Sequence, residues 1–136
     1  MTGPWPALVV RPDDSPGVGA GHVMWTLALV ERWSPTGPAV VALRSTDSPF
    51  ASRVRAAGGR VVVAAGTEED AGLGPIIERE APAWVVLDGY GFGRPVQARV
   101  RATGTRVAVI DDHGHHGGYE ADLVLDQNLG TTPEAV

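Results

Sequence analysis

Six short apolar runs rich in valine, separated by segments of a different periodicity, leave this chain few architectures. They fall at residues 7–10, 39–43, 61–65, 84–87, 107–110 and 123–125. Continuous apolar runs of this length read as strands buried on both faces, the habit of parallel sheets. Between them lie helical patterns with end signals. Residues 22–33 place Val23, Leu27 and Val30 on one stripe. Ser48 reads as an N-cap with Pro49 in the first helical position, Phe50 and Val54 facing inward and Gly58 closing the helix. Thr67 and Asp70 form a capping-box pattern, and Gly72, Gly74 and Pro75 are expected to break that segment before a helix over 76–80. A fourth helix is expected over 94–103, opened by Pro95 and ended before Gly104.

Alternating strands and helices predict an α/β domain: a Rossmann-like, open, mostly parallel sheet with helices on both faces. At 136 residues the chain holds one such domain, over residues 1–129, and residues 130–136 read as a tail or the start of a linker. No apolar run approaches the roughly 20 residues of a membrane span. The opening Met1-Thr2-Gly3-Pro4 lacks the charged and apolar parts of a secretory signal, so a cytoplasmic location is expected.

Composition removes several chemistries. There is no cysteine, which excludes disulfides, thiolate nucleophiles and cysteine zinc sites. All 11 basic residues are Arg and the formal net charge is −5, so neither a P-loop lysine nor a Schiff-base lysine exists and nucleic acid is not an expected partner.

Ligands of open parallel sheets sit at the carboxyl ends of the strands. The loops expected there, over 11–21, 88–93 and 111–121, hold five of the nine Asp and, with His22 directly after the first, all four His. In the first loop, Gly19 and Gly21 let the backbone approach a ligand, and His22 falls at a helix N-terminus. There the helix dipole disfavours imidazolium, leaving a neutral ring able to accept a proton. A solvated histidine on a flexible glycine loop is the alternative. The spacing does not match the G-x-G-x-x-G fingerprint and no acidic residue follows the second strand, which argues against NAD. Asp88 and Tyr90 can orient a histidine or contact a sugar, although Asp88-Gly89 is also ordinary turn chemistry. Asp111-Asp112 leads into a loop with His113, His115 and His116 that reads as solvated rather than metal-binding; no metal and no cofactor are expected.

At these loops the chain resembles the N-terminal half of the PseG/SpsG family of UDP-sugar hydrolases and spore-coat polysaccharide proteins. The resemblance rests on Arg11-Pro12-Asp13 with Gly19-Ala20-Gly21-His22-Val23-Met24, on Val86-Leu87-Asp88-Gly89-Tyr90-Gly91, on Val109-Ile110-Asp111-Asp112, and on Ala121-Asp122-Leu123-Val124-Leu125-Asp126-Gln127-Asn128. It implies a bacterial protein of polysaccharide biosynthesis with a GT-B N-terminal-type domain. It also implies hydrolysis of a UDP-linked 2,4-diacetamido-2,4,6-trideoxyhexose without a metal. His22 would be the general base activating water, with Asp13, Gly19, Gly21, Asp88 and Tyr90 around the substrate. Two features depart from the family. Trp25 stands where its members carry Arg, and the C-terminal domain that completes the cleft is absent from these 136 residues. The alternatives are therefore a non-catalytic binding or interaction domain, a half-enzyme that needs a C-terminal partner domain, or a homo-oligomer. For Trp5 and Trp25 the alternatives are a partner- or ligand-facing position and core or rim packing, the latter favoured, whereas core packing accounts for Trp33 and Trp84.

Overall fold

In a computed structural model the chain is described over residues 5–14, 21–47, 49–65, 68–89, 91–111 and 118–126, with backbone alone at 21–23. The valine-rich runs form β1 (Leu8–Pro12), β2 (Ala39–Leu43), β3 (Arg60–Val63), β4 (Trp84–Asp88), β5 (Arg106–Asp111) and β6 (Leu123–Asp126). Helices α1 (Gly21–Trp33), α2 (Pro49–Ala56), α3 (Gly74–Glu80) and α4 (Arg94–Arg101) connect them, with a 3-10 turn at Glu68–Asp70 before α3. The six strands pair in parallel in the order β3-β2-β1-β4-β5-β6. The expected Rossmann-like sheet is therefore present.

The period of two along each strand sorts side chains onto two faces. Leu8, Val10, Val41, Val86 and Ile110 face α1 and α2, meeting Leu27, Val30, Ala51 and Val54. Val9, Val40, Val85, Leu87 and Val109 face α3 and α4, meeting Leu73, Ile76, Ile77, Val96 and Val100. Burial on both faces is complete for β1 and β2, whereas β3 and β6 are edge strands with exposed positions. On the α1 side of the sheet, the cover thins toward the β6 edge. A groove of about 240 Å³ runs there past Leu29, Trp33, Trp84 and Ala108 to Leu123 and Leu125, which are 54% and 44% exposed.

One boundary differs from the sequence expectation. The segment is broken before α3 as expected, but at Ala71 and Gly72; Gly74 and Pro75 belong to α3, which starts two residues earlier than expected. The Asp70 carboxylate accepts hydrogen bonds from the Gly72 N–H at 2.9 Å and the Gly74 N–H at 3.0 Å, satisfying a donor that a helix start leaves unpaired. Ala71 and Gly72, both with left-handed φ (55° and 75°), turn the chain between the cap and the helix. Ser48 and Thr67, read as caps, lie outside the described residues. No described helix is long and apolar enough to cross a membrane.

Candidate functional site

The strand order reverses between β1 and β4, which are neighbours although β2 and β3 and their helices separate them in sequence. At such a switch point the connections leave the sheet in opposite directions and open a crevice at the carboxyl edge. The residues singled out from sequence fall on this edge. Asp13 follows the end of β1, Asp88 ends β4 and pairs in register with Pro12, Asp111 and Asp126 end β5 and β6 side by side, and Gly21 and His22 begin α1. Gly19 and Tyr90 lie outside the described residues, as does the histidine-rich stretch 112–117.

The β1 and β4 ends are clamped together. The Asp13 N–H donates to the Asp88 carbonyl at 2.8 Å. At Gly89 the backbones come so close that an added Cβ would stand 2.5 Å from the Asp13 Cβ and 3.2 Å from the Phe92 ring. Glycine is required here by close approach rather than by an unusual φ. Asp88 itself is only 1% exposed and shares the α1-side face of Val86 and Ile110. Asp13, by contrast, is only half-buried.

On the opposite face the sheet presents a residue that sequence reasoning left without a role. Arg11, 8% exposed, extends from β1 toward α3 and α4. Its Nε donates to the Ala71 carbonyl at 3.1 Å, and its Nη1 to the Pro12 carbonyl at 2.8 Å and to Asp14 Oδ1 at 3.1 Å. The guanidinium lies over the Phe92 ring, 5.4 Å from its centroid. Asp14 completes the arrangement by accepting the Arg44 N–H at 2.8 Å through Oδ2. An arginine directly following an apolar run was the available signal, because a buried charge must find such partners.

At the β5 and β6 ends, Asp111 is buried and accepts a hydrogen bond from the Tyr119 hydroxyl. Burial, this bond and the charges of Asp111 and Asp126 together push the Tyr119 phenol well above its ordinary range. Tyr119 therefore remains a hydrogen-bond donor across physiological pH. Among the described residues, no group of three or more His, Cys, Asp or Glu is placed to hold a metal ion. Trp25 is 37% exposed on α1, and Trp5 packs edge-on against Trp33 at 5.0 Å. On the exposed face of α4, Arg99 pairs with Glu69 and Arg101 with Asp122.

Compared with known proteins, the chain matches no family model and no curated protein.

Proposed function

We propose that this chain is the N-terminal-type half of a GT-B sugar-nucleotide hydrolase, binding a UDP-linked diacetamido-trideoxyhexose at the carboxyl edge of its sheet. The observation that supports this most is the gathering of Asp13, Asp88, Gly89 and the start of α1 at the β1/β4 switch point, from segments that are 75 residues apart between Asp13 and Asp88. In this reading His22, at the α1 N-terminus, takes a proton from water as the water oxygen bonds to the substrate and UDP departs. Gly19 and Gly21 leave room for the sugar beside the helix start, Asp13 accepts from a sugar hydroxyl, Tyr90 stacks on the ring, and Asp88 anchors the loop that carries Tyr90. A C-terminal domain or partner would supply the opposite wall of the cleft.

The test is UDP release from the UDP-sugar. His22→Ala should lower the rate by about 10² to 10⁴ while leaving the folded spectrum unchanged, the usual contribution of a general base. Equal rates for the two proteins would reject His22 as the base. A second reading, an interaction domain without catalysis, is favoured by the apolar groove along Trp33, Trp84, Leu123 and Leu125. Saturable UDP-sugar binding by the chain decides against it.

A further inference from the structure

We infer that the cleft between β1, β2 and the loop before α3 is an anion-binding site, built to take a carboxylate or phosphate group of a small ligand. The cleft has a volume of about 440 Å³, the size of a small-ligand site, and is lined by Arg11, Arg44, Ala64, Glu68, Gly72 and Phe92, among others. It lies on the α3/α4 side of the sheet, across the strands from the α1 start that the proposed hydrolase site uses. The inference therefore stands whether or not the chain hydrolyses a sugar nucleotide.

The argument rests on how the charges are used. Arg11 is more than nine-tenths buried, and its guanidinium is held by fixed acceptors from three segments: Pro12, Ala42 and Ala71, with Asp14 as its ion-pair partner. Those bonds use Nε and Nη1. Nη2 donates to no acceptor among the described residues, and Arg11 lines the cleft. Asp14 is spent on the protein side, one oxygen on Arg11 and the other on the Arg44 N–H. The end of this ion pair that meets the cleft is accordingly the cation.

Arg44 adds a second positive charge at the rim, on the exposed residue that follows β2. The Arg44 side chain, like those of Arg32, Arg53, Arg55 and Arg106, pairs with no carboxylate among the described residues, and of these it is the one that lines the cleft. Glu68, on the same rim, bonds to neither cation among the described residues. A cation locked in position by backbone carbonyls loses little freedom on binding, and the Phe92 ring beneath it keeps the guanidinium plane oriented. An oxyanion entering the cleft would take Nη2 of Arg11 and the guanidinium of Arg44 as donors.

Titration of the isotope-labelled chain with inorganic phosphate and with acetate, at constant ionic strength, tests this through the amides of Arg44, Gly72 and Phe92. Saturable shifts are expected at these amides. Arg44→Gln should weaken binding about tenfold, the loss of one charge-assisted hydrogen bond. Glu68→Gln should tighten it about twofold by removing an exposed like charge. A sugar phosphate and a uronic acid, titrated in parallel, separate the two sources: tighter binding than inorganic phosphate by the first assigns a phosphate ligand, and tighter binding than acetate by the second assigns a carboxylate ligand. Amides that do not move, or shifts that respond to neither Arg44→Gln nor Glu68→Gln, overturn the inference.

Discussion

Replacing Gly89 by alanine strikes the contact that joins the two loops of the candidate site. The added Cβ would lie 2.5 Å from the Asp13 Cβ and 3.2 and 3.3 Å from two Phe92 ring atoms. Carbon atoms in contact settle near 3.5–4.0 Å, so about 1 Å must be found on the Asp13 side. Asp13 cannot retreat freely, since its N–H is bound to the Asp88 carbonyl next to the substitution. Phe92 cannot either, because it supports Arg11 and packs in the core below α4. Overpacking of this kind costs about 1–3 kcal/mol. For a domain of this size each kcal/mol is worth roughly 3–5 °C, so Gly89→Ala should lower Tm by about 3–15 °C. Gly91, two residues on, has nothing within 4 Å of its added Cβ and serves as the control. Gly91→Ala should be neutral or slightly stabilising, by less than about 1 kcal/mol. Thermal unfolding followed by circular dichroism reads both. Equal midpoints for the two variants would show that the β1 and β4 ends are not pressed together as described.

Three further outcomes follow from the same contacts. Asp70→Ala removes both carboxylate bonds at the start of α3 and should cost about 1–2 kcal/mol in urea unfolding, with Asp70→Asn recovering part of it. Glu80, hydrogen-bonded to Arg60 and also to Arg79, has its carboxyl held below its ordinary value; the pair's contribution is present above about pH 4.3 and is lost as pH falls through the lower folded value, so Glu80→Gln should flatten the acid side of the stability curve. Because Arg60 is largely exposed, the effect should stay below about 1 kcal/mol. Tyr119 is shifted the other way: its folded phenol holds its proton more tightly than the unfolded one, so its contribution is full below about pH 10 and is lost as pH rises beyond it, a loss that Tyr119→Phe should abolish in alkaline unfolding curves.

The sheet was legible from sequence because its signal is local. Runs such as 39–43 and 107–110 are short and rich in β-branched residues, which favours covered strands over buried helices, and the strand-helix alternation then leaves little choice of topology. The start of α3 was not legible, since the Asp70 cap reaches across Ala71 and Gly72 only when both adopt positive φ, and two glycines before a proline ordinarily signal a break. For the site, position along the strands sufficed to bring Asp13, Asp88 and the α1 start to one edge. What sequence did not convey was the burial of Asp88 or the role of Arg11, whose acceptors at Ala42 and Ala71 are 31 and 60 residues away and become neighbours only through the sheet order.

The central claim, that the carboxyl edge at the β1/β4 switch point binds a sugar nucleotide, is tested most directly by titrating the isotope-labelled chain with the UDP-linked diacetamido sugar. The readout is the backbone amides of Gly21, His22, Gly89 and Gly91. The account predicts saturable shifts at these four positions, with smaller effects on the distant amides of α3 such as Glu78 and Glu80. A folded chain whose carboxyl-edge amides stay still at saturating sugar nucleotide would contradict it.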